Sequence, residues 1–163
     1  RSARPSRMRA MGIRRILVPI DYSDNSKAAL AYGAELATSF GASLDIVHVW
    51  DRPTYVTDAV MVQRPGEAHK PIGELIRENA QRDMDEFMAG ITLPSGVPVK
   101  TRLLSGDPAG TLLEELKKAE HDLVVLSTHG RTGLSHLLLG SIAEKLVRLS
   151  PVPVLTVPLR GRS

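Results

Sequence analysis

Short aliphatic runs alternate with stretches of helical period along most of the chain, and this alternation limits the possible folds more than any other feature. Ile16-Leu17-Val18-Pro19-Ile20 ends in the polar cluster Asp21 to Asn25, the pattern of a buried strand feeding a turn. Ser26 to Phe40 then places Ala29, Leu30, Gly33, Leu36 and Ala37 at helical spacing, with Ser23 or Asp24 as cap and Gly41 as stop. Further strands are expected over 43–50, 97–104, 123–126 and 152–157. Further helices are expected from Pro71 to Met88, from Pro108 to Ala119 behind an Asp107 cap, and through Ile142, Ala143, Leu146 and Val147. Alternation of this kind predicts an α/β fold, a parallel sheet with helices on both faces, and unbroken aliphatic strands fit burial on both sides. Pro153 removes a ladder donor from the last strand and so places it at an edge. Pairing with the same strand of a second subunit is one way to protect such an edge. The stretch Asp51 to Lys70, broken by Pro53, Pro65 and Gly66, predicts a loop, either mobile or functional as a lid.

The sequence pI near 9.4 suggests a nucleic-acid partner, but the charge distribution argues against one. Six arginines fall within the first fifteen residues, and Arg160 and Arg162 within the last four. Without these eight, 13 Lys and Arg face 18 Asp and Glu, about −5 for the body of the chain. The expected organisation is a basic tail over 1–11, one domain over 12–159 and a short tail over 160–163. Met8 and Met11 are natural starts, and a solubilising or vector-derived tail is the simplest reading of what precedes Gly12. No apolar stretch approaches the roughly 18 residues of a membrane span, so neither membrane nor nucleic acid is an expected partner. The absence of cysteine rules out disulfides and thiolate chemistry and suits a reducing cytoplasm.

Ligands of open parallel sheets bind beyond the carboxyl ends of strands where the strand order reverses. The most informative such end is Ser127-Thr128-His129-Gly130, where small residues let backbone N–H groups approach an anion. Ten residues on, Gly140-Ser141 opens a helix whose N-terminus favours phosphate. Ser141 to Glu144 also has capping-box spacing, so Ser141 can simply cap its own helix. Asp21, at the end of the first strand, can hydrogen-bond a ribose or base, help hold Mg²⁺, or cap the following helix. His48 reads as a hydrogen-bonded core histidine. No P-loop, no Gly-x-Gly-x-x-Gly after the first strand, no His pair at i,i+4 spacing and no Gly-x-Ser-x-Gly elbow occurs. ATPase, dinucleotide, zinc and serine-hydrolase chemistries therefore lose their usual signatures.

These pieces together resemble the universal stress protein family from about Arg14 to Pro158. The opening Ile16-Leu17-Val18-Pro19-Ile20-Asp21-Tyr22-Ser23 is similar to its first strand and turn, and Leu44 to Val49 to its second strand. Its nucleotide signature, Gly-x2-Gly-x9-Gly-[Ser/Thr], falls on Ser127 to Ser141, with Ser127 in place of the first glycine. Pro151-Val152-Pro153-Val154-Leu155 extends the match. The resemblance implies a Rossmann-like, adenine nucleotide alpha hydrolase-like sheet of five strands in the order 3-2-1-4-5. It implies ATP or AMP as ligand, with Mg²⁺ as a companion ion, and a homodimer formed through the last strand. In members that bind nucleotide, the counterparts of Pro19, Ile20 and Asp21 contact the ligand and that of Val49 packs on adenine. The signature loop, here Leu126, Ser127, Thr128, His129, Gly130 and Arg131, holds ribose and phosphates together with Gly140, Ser141 and Ile142. The implied role is regulatory in a stress response, with slow ATP hydrolysis at most. The alternative is a member that binds no nucleotide and acts by protein–protein contact.

Overall fold

The computed structural model describes residues 12–50, 60–63, 65–66, 68–128 and 139–158. Among these residues seven strands and four helices follow one another: β1 (Arg15–Pro19), α1 (Asp24–Phe40), β2 (Ser43–Trp50), β3 (Met61–Val62), β4 (Lys70–Pro71), α2 (Ile72–Ala89), β5 (Val99–Ser105), α3 (Pro108–Lys117), β6 (Leu123–Ser127), α4 (Ser141–Leu149) and β7 (Val154–Val157). Five strands form a parallel sheet in the order β5-β2-β1-β6-β7. This is the α/β architecture that the alternation predicted and, counting the five strands of this sheet in chain order, the 3-2-1-4-5 order that the resemblance implied.

Local chemistry explains most boundaries. Ser23 caps α1, its side chain accepting the Ser26 amide at 3.2 Å, and Gly41 ends the helix at φ +64°, a conformation that costs glycine little. Asp107 caps α3 by accepting the Gly110 amide at 2.8 Å, with Pro108 in the first turn. Three expectations need correction. The segment after β2 holds a two-stranded antiparallel ribbon, β3 with β4, where only a loop was expected; 51–59, Arg64 and Glu67 lie outside the described residues. The last strand begins at Val154, so Pro153 precedes it and contributes its carbonyl to the Val124 amide at 3.0 Å. The capping box at Ser141 does not form. Gly140 is the N-cap and Ser141 the first helical residue, so Glu144 sits one position too far along and pairs with Arg148 instead.

The strand period of two divides the core. Ile16, Val18, Leu44, Ile46 and Val125 pack against Leu30, Ala34 and Ala37 of α1 and Met84 and Phe87 of α2. Leu17, Val47, Val49, Val124 and Leu126 pack against Leu112 and Leu116 of α3 and Ala143 and Leu146 of α4. On this second face, away from the strands' carboxyl ends, lies a buried charged cluster. Arg102 Nε donates to Asp45 Oδ1 at 2.9 Å and its Nη2 to Asp45 Oδ2, while Nη1 lies 2.6 Å from Glu115 Oε1. Lys118 holds the other Glu115 oxygen at 2.6 Å, and His121 Nε2 donates to Asp45 Oδ2 at 2.8 Å. The cluster joins β2, β5, α3 and the turn before β6. Burial alone would push the Asp45 carboxyl up, but hydrogen bonds from His121 and Arg102 hold it at about 2 against an ordinary 3.8. The same balance, with Lys118 and Arg102 outweighing burial, keeps Glu115 below its ordinary range.

Candidate functional site

The strand order reverses between β1 and β6: from β1 the chain builds outward to β2 and β5 on one side, and β6 and β7 fill the other. The carboxyl ends of the strands at this reversal are where ligands of such sheets bind. A cavity of about 520 Å³ occupies this place, within the size range of small-molecule sites. Pro19, Ile20 and Asp21 line it from the end of β1, Val49 from β2, and Leu126, Ser127 and Thr128 from β6. Gly140, Ser141 and Ile142 close it from the start of α4. His129, Gly130 and Arg131 lie outside the described residues.

The wall is apolar near Val47, Val49, Leu112 and Leu126, and polar near Asp21 and α4. Asp21 Oδ1 accepts the Ser23 amide at 3.1 Å and the Ser26 hydroxyl at 2.8 Å, so the carboxylate is oriented by the first turn of α1. The helix-capping role itself belongs to Ser23. The Gly140 amide is bonded to the Thr128 carbonyl at 2.7 Å. The donors α4 can offer are therefore the amides of Ser141, Ile142 and Ala143, which lie in the first turn and have no intrahelical acceptor. Partial positive charge at that helix end and these oriented N–H groups suit an anion. Ser127 is the last residue of β6, paired with Val157. Among the described residues only Tyr22 and Ala119 combine a side chain with positive φ. A serine at position 127 thus carries no backbone strain.

The family model for the universal stress protein family matches residues 12–158. The chain belongs to this family. Among its relatives, universal stress protein A homolog 1 of Coxiella burnetii is 32% identical over 151 residues, covering 90% of this chain and 97% of that protein. Universal stress protein YxiE of Bacillus subtilis is 31% identical over 152 residues, covering 88% and 97%. Among solved structures, the universal stress protein UspA from Lactobacillus plantarum superposes with a TM-score of 0.64 at 26% identity, covering 89% of this chain and 97% of that one. A universal stress protein solved in complex with cAMP superposes at 0.57 and 26% identity, covering 90% and 97%.

Sequence reasoning did not assign Ser26, Val47, His48, Trp50, Pro108, Leu112 or Ala143 to the cavity. Trp50 and Pro108 stand at or just beyond the carboxyl ends of β2 and β5, so position alone would have suggested them. His48 is hydrogen-bonded as expected, Nδ1 lying 2.8 Å from the Ile20 carbonyl oxygen, and it also reaches the cavity. Nothing local marks Leu112, whose place depends on how α3 packs. Among the described residues no group of three or more acidic or histidine side chains could hold a metal ion. None of the described helices is long and apolar enough to cross a membrane.

Proposed function

We propose that this protein binds an adenine nucleotide, ATP or AMP, in the crevice between β1 and β6, and acts as a regulatory homodimer in a stress response. One observation carries the reading: an apolar wall suited to a base and a helix N-terminus suited to phosphate meet in a single cavity of about 520 Å³. The related structure solved with cAMP supports an adenine nucleotide as the ligand class. In this reading Val49 packs on adenine, while Pro19, Ile20 and Asp21 take base and ribose. Leu126, Ser127 and Thr128, with His129, Gly130 and Arg131, surround ribose and phosphates, and Gly140, Ser141 and Ile142 supply the phosphate end. Mg²⁺, where it accompanies ATP, would take its protein ligand from Asp21.

No residue is given a catalytic role, and hydrolysis is slow at most, because the chain lacks the P-loop lysine and hydroxyl. The dimer forms through β7, which ends the order of the main sheet and needs a partner for its outer edge. The single domain spans 12–159, and its place is the cytoplasm.

Calorimetric titration with ATP and AMP tests the binding. Heat of binding is expected, and replacing Gly130 or Gly140 by leucine should abolish it without lowering the helical circular dichroism. No heat with either nucleotide at millimolar concentration would sink the proposal. Unchanged affinity in both variants would move the site elsewhere.

A further inference from the structure

The turn after β1 contains a conformation that an ordinary core aromatic does not need. Tyr22 sits at φ +65°, in the left-handed region where a bulky side chain is strained and persists only if its surroundings hold it there. Its ring stacks on His48 with centroids 4.2 Å apart and planes inclined by 31°, and it meets Phe87 of α2 at 5.4 Å. His48 Nδ1 lies 2.8 Å from the Ile20 carbonyl oxygen. A carbonyl only accepts, so Nδ1 carries the proton. The Ile20 amide in turn donates to Val47 at 2.9 Å. The same left-handed turn brings Ser23 and Ser26 back onto the Asp21 carboxylate.

Ile20, Asp21, Ser26 and His48 all face the cavity, whereas Tyr22 does not line it. Tyr22 therefore stands behind the wall, between Phe87 of the core and His48, which is part of the wall. We infer that Tyr22 is a positioning residue: its ring clamps the His48 imidazole against Ile20, and so fixes the Ile20–Asp21 segment at the angle from which it meets the bound nucleotide. This rests on the nucleotide reading above and adds a determinant of affinity that never touches the ligand. A purely structural role would lower stability without changing how tightly the folded protein binds.

The test compares ATP affinity by calorimetry in the full chain and in Tyr22→Phe, Tyr22→Leu, His48→Leu and the Tyr22→Leu/His48→Leu double variant. Each is first checked by thermal melting to be folded at the assay temperature. Tyr22→Phe keeps the ring and should bind within about twofold of the wild type. Each leucine variant should lose about tenfold, and the double variant no more than the weaker single one, because both remove one shared clamp. Nitrogen NMR of the imidazoles, without nucleotide, should show His48 locked with its proton on Nδ1 in the wild type and averaging between tautomers in Tyr22→Leu. Should Tyr22→Leu fail to fold, Tyr22→Gly replaces it; glycine relaxes the backbone but deletes the ring, and should also bind about tenfold more weakly. Wild-type affinity in either ringless variant, or additive losses in the double variant, overturns the inference while the nucleotide site stands. No binding by the wild type overturns the proposed function, and this inference with it.

Discussion

Removing the guanidinium of Arg102 offers a sharp test of how the sheet is held at the end opposite the cavity. In Arg102→Met the aliphatic stem is largely kept, but Asp45 loses two of its hydrogen bonds and Glu115 one of its two cations. The Asp45 side chain is 8% exposed and that of Glu115 5%, so water does little to replace what is lost. A carboxyl held at about 2 against 3.8 in the unfolded chain contributes about 2 kcal/mol at neutral pH. Stranding a buried charge after deleting its partner typically costs about 3–5 kcal/mol. His121 and Lys118 remain in place, which points to the lower end, about 3 kcal/mol. Urea unfolding at pH 7 measures it. The pH dependence supplies a second check. Because Asp45 is depressed in the folded state, its contribution in the wild type is full above 3.8 and is lost as pH falls towards about 2. In the variant burial acts without the guanidinium, the carboxyl titrates higher, and the gap between the two proteins should narrow as the medium is acidified. A difference below about 1 kcal/mol at pH 7, or one that does not shrink in acid, would refute this account of the cluster.

Two further predictions concern how the helices are placed. Asp107→Ala removes the cap that positions α3, whose Pro108 and Leu112 line the cavity, and should cost about 1 kcal/mol in urea unfolding; an unchanged midpoint would refute it. Gly33→Ala improves helix propensity by about 1 kcal/mol, but its Cβ would lie 3.0 Å from Cγ2 of Val18, which is wholly buried. The clash should win, with a net loss of about 1 kcal/mol seen as a lower melting temperature; a raised one would refute it.

How much was legible in the sequence follows from what each feature depends on. Strands β1, β2, β5, β6 and β7 and all four helices were readable, because aliphatic runs and helical spacing record burial directly in residue order. The caps at Ser23, Gly41 and Asp107 were readable because they depend on neighbours within a few residues. The ribbon of β3 with β4 was not: two-residue strands carry no period. Ser141 was readable as a helix start but not as its first residue rather than its cap, because that difference lies in the φ and ψ of Gly140.

The sequence by itself determined the α/β class and the strand ends and Gly140-Ser141 helix start where a ligand was to be sought. Pattern and residue type suffice for these, since each is local or periodic. The edge position of the last strand was expected for a reason, Pro153 within it, that the structure replaced. Only the tertiary structure decided that Asp45, Arg102, Glu115 and His121 form one buried cluster. It also decided that Tyr22 takes a positive φ and lays its ring against His48, a residue of the cavity wall. Ser127 is an example: the sequence places it where the family signature has glycine, and only its position at the end of β6, without positive φ, shows that a side chain is accommodated there. Contacts between residues dozens of positions apart exist only once sheet order and helix faces are set, and no local pattern encodes them.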